Sequence, residues 1–133
     1  MSKIFNISEA ASLAIHSLAL IAKSKHQINA QQIAAMTNFS KNHLSKVLQR
    51  LVKYNYIASE RGPKGGFVMK KDSKKISLLE IYELMEGMLE TGKCNVHKGA
   101  CLFSKCIFGG MSERFTKEFR NYLETKTIFE FTL

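Results

Sequence analysis

All three cysteines of the chain, Cys94, Cys101 and Cys106, lie within one stretch of thirteen residues. An odd, clustered set of cysteines favours shared ligation of one centre over disulfide bonding. Three thiolates in such a loop can fold around a soft metal centre, and Gly99 allows the chain to reverse between them. Neighbouring lysines lower the thiol pKa values and offset the charge that three thiolates bring together. The residues therefore predict a metal or redox site in this stretch.

His97 lies between the first two cysteines and is an alternative candidate ligand. With the three cysteines it would complete a tetrahedral zinc site. Thiol oxidation without a metal and cysteines without a function are the other interpretations of this stretch. An enzyme such as a thiol oxidoreductase is disfavoured, because no two cysteines have C-x-x-C spacing and none has an evident base and orienting partner in the sequence.

Positive charge is concentrated ahead of the cysteine stretch. The chain of 133 residues has a formal net charge of +9, and residues 40–75 contain ten Lys or Arg against two acidic residues, Glu60 and Asp72. Such a concentration is typical of a surface that binds a polyanion, although a cationic solvated face is the alternative. We therefore expect this part of the chain to bind nucleic acid.

Two short helices precede the most basic region. A first helix is predicted to begin after Ser8 and to end near Ala22, because apolar residues recur there at helical spacing. A second, shorter helix opens at a capping box formed by Asn29 and Gln32. Its buried positions are predicted to be Ile33, Ala34 and Met36.

A third helix follows a three-residue turn and is capped by Ser40. Its inward stripe is predicted to be Leu44, Val47, Leu48 and Leu51. Two short helices joined by such a turn are typical of a helix-turn-helix, whose second helix enters the major groove of DNA. The candidate DNA contacts on this helix are Ser40, Lys41, Asn42, Ser45, Lys46 and Gln49.

A two-stranded wing is predicted after these helices. Residues 56–61 alternate in the manner of a strand, residues 62–66 form a glycine-rich turn, and residues 67–69 return as a second strand. Arg61 at the base of the turn, Lys64 at its tip and Gly65 are candidate contacts to the minor groove. A nucleotide-phosphate loop is disfavoured, because there the glycines lead into a helix rather than a strand.

The C-terminal half is predicted to contain two more helices. Ser77 and Glu80 form a capping box for a helix that runs from Leu78 to near Leu89, and its acidic residues should lie away from DNA. Beyond the cysteines, a helix beginning near Ser112 has an apolar side formed by Met111, Phe115, Phe119, Tyr122 and Leu123. We interpret this side as a dimer seam, with packing on the chain's own core as the alternative.

Together these elements predict a mainly α fold, a winged helix-turn-helix with a two-stranded wing and a long C-terminal dimerisation helix. Residues 1–75 would form the DNA-binding region, and residues 76–133 the helix, the cysteine loop and the dimerisation helix, within one compact domain. The sequence lacks the apolar run of a signal peptide or a membrane span, so a cytoplasmic protein with reduced thiols and no membrane partner is expected.

Three features carry a resemblance to a known family: the run Arg-Gly-Pro-Lys-Gly-Gly-Phe at 61–67, the helix start Ile-Ser-Leu-Leu-Glu-Ile at 76–81, and the late cysteines. The chain resembles the winged-helix repressors that include the iron-sulfur regulator IscR and the nitric-oxide sensor NsrR. The resemblance implies a homodimer on pseudo-palindromic operator DNA with a [2Fe-2S] or [4Fe-4S] cluster in the cysteine loop, and makes zinc less favoured. The cluster would sense nitric oxide, redox state or iron-sulfur status.

The resemblance also bears on single positions. Glu9 aligns with an acidic residue that the nitric-oxide sensor takes from the partner subunit, so it is a candidate fourth ligand, or simply a helix N-terminal acid. Gly109 replaces a histidine ligand of the iron-sulfur regulator, and Ser45 replaces an acidic residue on its recognition helix. The function predicted is cluster-controlled transcriptional regulation, and the alternative is a metal-free, cysteine-based oxidant sensor.

Overall fold

The computed structural model describes residues 7–62, 65–89 and 100–133. Within these ranges the α-helices are α1 (Glu9–Lys23), α2 (Ala30–Met36), α3 (Lys41–Lys53), α4 (Leu78–Glu86) and α5 (Met111–Thr125). Strands β1 (Ile57–Glu60) and β2 (Gly66–Met69) form an antiparallel hairpin between α3 and α4. Short 3₁₀ turns occupy Ser73–Lys75 and Ile128–Phe131.

The first three helices begin where their capping residues predict. Ser8 Oγ accepts a hydrogen bond from the Ala11 amide at 3.1 Å. Asn29 and Gln32 form the reciprocal capping box, with bonds of 2.8 and 2.9 Å. Ser40 accepts from the third amide of α3. Because each cap is a local interaction, these helix starts follow from the sequence alone.

The capping box predicted for α4 forms only in half. Ser77 Oγ accepts from the Glu80 amide at 3.1 Å, but the Glu80 carboxylate turns away from the helix start. It accepts instead from the Tyr56 hydroxyl at 2.7 Å and from Lys71 Nζ at 2.9 Å. The predicted end near Leu89 is also wrong: α4 ends at Glu86, because the next residue, a glycine, takes a φ of 86°.

One hydrophobic core joins the helices. The stripe predicted on α3 is fully confirmed, since Leu44, Val47, Leu48 and Leu51 are all buried. The prediction for α2 is wrong in part: Ile33 is buried and Ala34 partly buried, but Met36 is 56% exposed. Met36 is the last residue of α2, and the extended backbone at Thr37 turns the chain away before that side chain reaches the core.

The wing is anchored by a segment far from it in sequence. Ile28, between α1 and α2, pairs with Phe67 through amide–carbonyl bonds of 2.8 and 3.3 Å in an antiparallel bridge. A Cβ atom on Gly66 would lie 2.8–3.0 Å from backbone atoms of Ile28, which is too close for any other residue. The Gln27 side chain also donates a hydrogen bond to the Glu60 carboxylate at the end of β1.

The C-terminal segment closes the core. The Ile128 amide donates to the Ile76 carbonyl at 2.9 Å, the Leu78 amide donates to the Lys126 carbonyl at 3.0 Å, and Ile128 is buried. This places the apolar tail, for which the sequence indicates no position. Helix α5 packs on α4 through an edge-to-face contact of Tyr82 with Phe119, whose ring centroids are 5.3 Å apart. No helix in the described ranges has the length and apolarity that crossing a membrane requires.

Candidate nucleic-acid interface and cysteine segment

Helix α3 presents a polar line on the side opposite its buried stripe. Lys41, Asn42, Lys46 and Gln49 are exposed, as the sequence predicts for groove-contacting side chains. Ser45 is partly buried, and the Ser40 hydroxyl accepts the His43 amide at 3.2 Å. Ser40 therefore has a capping role, and its hydroxyl keeps a proton and one lone pair for a second partner.

The flank of α3 bears two residues that the DNA-contact prediction omits. Arg50 donates from Nη2 to the Leu84 carbonyl at 3.1 Å. His43, seven residues before Arg50, lies on the same side of α3. Its Nδ1 is 3.2 Å from Glu9 Oε1. The i, i+7 spacing of these two nitrogen-bearing side chains beside the polar line is the sequence signal for this flank.

The wing turn has the tight backbone that its glycines predict. Gly62 takes a φ of 121°, and the Gly65 amide closes the turn on the Gly62 carbonyl at 2.8 Å. A Cβ atom on Gly65 would lie 2.7 Å from the Glu60 carbonyl oxygen, so only glycine fits there. Arg61 is exposed where β1 ends, and Lys64 lies outside the described residues.

Two of the three cysteines are described, and both are exposed on the surface. Cys101 and Cys106 lie in the irregular segment that leads into α5, whereas Cys94 and His97 lie outside the described residues. In the part of the chain that the structure describes, no three potential metal ligands come together. The predicted ligand set is therefore placed only in part, with two thiols on one segment.

The Cys106 thiol lies at the turn that precedes α5. Hydrogen bonds from the backbone amides of Gly110, Phe108 and Gly109 hold the pKa of Cys106 below its usual range, against a smaller effect of desolvation. Gly109 and Gly110 take φ values of 60° and 71°, and no side chain caps α5. These amides favour the thiolate, the form that ligates metals and reacts with oxidants. A Gly-Gly pair between a cysteine and an amphipathic helix is the sequence signal for this arrangement.

Large apolar side chains neighbour the two cysteines in the sequence. Leu102, Phe103, Ile107 and Phe108 are 85%, 51%, 69% and 61% exposed. Apolar side chains concentrated on a surface in this way are typical of a contact surface. The two cysteines thus lie in a segment that exposes much apolar surface.

Glu9 lies in the first turn of α1, and its side chain is 62% exposed. Its position at a helix N-terminus agrees with the simpler interpretation, a carboxylate stabilised by the helix dipole. Its contact with His43, whose Nδ1 is 3.2 Å from Glu9 Oε1, adds a role that the sequence does not reveal, because the two residues are brought together only by the packing of α1 on α3.

Comparison with known proteins identifies the family of this chain. The model of the Rrf2 family, described as iron-dependent transcriptional regulator, matches residues 7–132. The HTH-type transcriptional regulator BadM of Rhodopseudomonas palustris is 42% identical over 52% of this chain and 44% of its own length. NsrR of Shouchella clausii is 28% identical over 87% of this chain and 80% of its own. The chain thus spans less than half of BadM.

Solved structures share the fold. CymR, the global cysteine regulator of B. subtilis, superposes with a TM-score of 0.76 at 18% identity and 96% coverage of both chains. IscR of T. potens superposes with a TM-score of 0.66 at 18% identity, covering 95% of this chain and 85% of its own. At these identities the structures bear on the fold alone, and they confirm the predicted mainly α winged-helix architecture.

Proposed function

Because the chain belongs to the Rrf2 family of transcriptional regulators, whose model matches residues 7–132, we propose that it is a dimeric operator-binding repressor controlled by an iron-sulfur cluster. The cluster would be held by Cys94, Cys101 and Cys106, with Glu9 of the partner subunit or His97 as the fourth ligand. The family consists of transcriptional regulators, so the expectation of a regulator rather than an enzyme is confirmed.

The observation that carries the proposal is the Cys106 thiol at the turn that precedes α5. Three backbone amides stabilise its thiolate, which is the form that soft metals bind. Cys101 is exposed on the same segment, so two sulfur donors are accessible to a cluster. When bound, the cluster supplies iron that reacts with nitric oxide and oxidants, and the protein supplies the sulfur ligands and the apolar surroundings.

DNA binding in this proposal uses two surfaces of the winged helix. The polar line of α3 enters the major groove, and its candidate contacts are Ser40, Lys41, Asn42, Ser45, Lys46 and Gln49. Arg61, Lys64 and Gly65 of the wing approach the adjacent minor groove. Dimerisation through α5 sets the separation of the two recognition helices, which must match two operator half-sites.

A metal-free oxidant sensor is the second candidate, and the same thiol favours it. An exposed cysteine with a lowered pKa is also the kind that peroxides and disulfides oxidise. In that case Cys106 would act as a reversible thiol switch, and its oxidation in place of cluster damage would alter DNA binding.

The two candidates are separated by operator binding measured without air. An operator is selected from random duplex DNA, and the dissociation constant is measured before and after addition of nitric oxide. Iron-loaded wild type is expected to lose operator affinity, whereas Cys101→Ala is expected to give one affinity in both conditions. Iron-free wild type that changes affinity with hydrogen peroxide would favour the metal-free sensor instead.

A further inference from the structure

The end of α4 holds the recognition helix α3 at one point. Arg50 Nη2 donates to the Leu84 carbonyl at 3.1 Å, and the guanidinium lies 5.6 Å from the centre of the Tyr54 ring. Leu84 belongs to the last turn of α4, where carbonyls lack helical partners and the helix dipole is negative. Arg50 therefore caps a neighbouring helix, and this donor group is directed at protein rather than at DNA.

The start of α1 holds α3 at a second point. His43 Nδ1 is 3.2 Å from Glu9 Oε1, on the same flank of α3 as Arg50. Ser8, the residue before Glu9, donates a hydrogen bond to the Glu86 carboxylate at the end of α4. The two contacts to α3 are thus connected with each other through the ends of α1 and α4.

The turn after α4 is connected forward to α5. Glu83 Oε2 accepts from the Leu89 amide at 2.9 Å, and Arg120 of α5 donates to the Leu89 carbonyl at 3.3 Å. Arg120 Nη1 is also 4.0 Å from the same Glu83 oxygen. The chain then continues to Cys94, five residues beyond Leu89. Contacts from α3, α1 and α5 thus reach Leu84, Glu86 and Leu89, over the end of α4 and the residues that follow it.

We propose that Arg50, supported by His43, is a positioning residue that sets the angle at which α3 is presented to DNA. It acts through the end of α4, so a displacement of the cysteine segment reaches α3 through the Arg50–Leu84 bond. Small shifts at a packed contact of this kind are converted into rotations of whole elements. The positioning role stands on the contacts above, whereas the transmission from the cysteines rests on the proposed function.

The positioning role is tested on cluster-free protein by titrating operator DNA at several salt concentrations. Arg50→Gln is compared with Lys46→Gln, which removes the same charge from the polar line of α3. Arg50→Gln is expected to weaken operator binding about tenfold with an unchanged salt slope. Lys46→Gln is expected to lower the slope by about one unit, as loss of a phosphate contact does.

Two results would overturn the positioning role. If Arg50→Gln lowers the salt slope as Lys46→Gln does, Arg50 contacts a phosphate. If Arg50→Gln leaves the operator affinity unchanged, Arg50 does not position α3. Thermal unfolding of each variant establishes that it is folded at the assay temperature. His43 gives a second test that does not depend on Arg50: His43→Gln, which can still donate to Glu9, should retain more affinity than His43→Ala. Equal affinities for these two variants would contradict the support assigned to His43.

Transmission is tested by repeating the titrations on protein whose iron and sulfide have been counted. The quantity compared is the operator affinity of cluster-loaded protein divided by that of cluster-free protein. This ratio should fall toward one in Arg50→Gln and should keep its wild-type value in Lys46→Gln. An unchanged ratio in Arg50→Gln would refute transmission through α4. If the protein holds no iron, the proposed function fails, and the cluster-free titrations still decide the positioning role.

Discussion

Glu80 joins three parts of the winged helix through one carboxylate. It accepts from Tyr56 at 2.7 Å and from Lys71 at 2.9 Å, while its amide bonds to Ser77. Burial alone would raise the pKa of Glu80, but the bonds from Lys71 and Tyr56 and the charge of Lys71 outweigh it and hold the pKa below its ordinary value. Burial, with the nearby carboxylate, also raises the pKa of Tyr56.

Replacing Glu80 by Gln should therefore destabilise the protein at neutral pH, by about 1–3 kcal/mol, because charged hydrogen bonds are lost. A carboxylate whose pKa is lower in the folded than in the unfolded protein stabilises the folded state at pH values above the unfolded pKa. This stabilisation is lost as the pH falls through the folded pKa. The difference in unfolding free energy between wild type and Glu80→Gln should thus be smaller at about pH 3 than at about pH 7. Urea unfolding at both values measures it, with the exposed Glu124→Gln as control; a constant difference would contradict the role of charge.

Arg61 is exposed at the point where the turn of the wing follows β1. Replacing it by Ala should weaken operator binding and reduce the salt slope by about one unit if it contacts a phosphate, or by less if it lies in a groove. The measurement is fluorescence anisotropy of labelled operator across salt concentrations. Lys117→Ala on α5 is the control with the same loss of charge, and identical isotherms for wild type and Arg61→Ala would exclude the wing from the interface.

The residues that the sequence misses owe their roles to distant partners. From the sequence, Arg50 is one more positive charge, and only the structure shows its bond to the Leu84 carbonyl. The sequence likewise predicts a capping box for Glu80, but its carboxylate accepts hydrogen bonds from Tyr56 and Lys71 instead. The exposed line of α3 needs no such knowledge, because helical spacing alone fixes which residues oppose the buried stripe.

At the scale of elements, local rules account for most of the winged helix. Caps at Ser8, Asn29 and Ser40 define helix starts, and the glycine-rich turn defines the hairpin. What sequence rules cannot supply is the anchor of the wing, because the bridge from Ile28 to Phe67 joins segments that no local pattern relates. That bridge fixes the wing against the helix-turn-helix, so the two surfaces proposed to contact DNA have a defined relation.

Gly66→Ala tests this anchor. The new Cβ would meet Ile28 backbone atoms at 2.8–3.0 Å, and the backbone cannot move without breaking the bridge. We expect a loss of about 1–3 kcal/mol in unfolding free energy, as for other overpacked sites. Chemical denaturation measures the loss, with Ser59→Ala on the neighbouring strand as control. A Gly66→Ala protein as stable as wild type would show that the wing does not depend on this contact.

At the scale of the whole molecule, α5 leaves an apolar face uncovered. Leu123 is buried, but Met111, Phe115 and Tyr122 are 39%, 55% and 51% exposed. A groove of about 430 Å³ runs beside this face, from Ile7 to Phe115 and Tyr122. An amphipathic helix with so much exposed aromatic surface is typical of an interface between copies, which agrees with the dimer in the proposed function.

Phe115→Asp should therefore yield a monomer, because a carboxylate at the centre of an apolar seam is left without a partner. Sedimentation velocity measures the oligomeric state, and operator affinity should fall because two linked half-sites are no longer bound together. Asn121→Asp, which adds the same charge to another side of α5, should remain a dimer. A Phe115→Asp protein that still sediments as wild type would place the dimer interface elsewhere.

The most direct test of the central claim is a count of iron and acid-labile sulfide in protein purified without air. Wild type should contain both, with the visible absorption of an iron-sulfur cluster, and Cys106→Ala should lose both while unfolding at a similar temperature. Colourless wild type without iron, or a Cys106→Ala protein with undiminished iron and sulfide, would contradict the account.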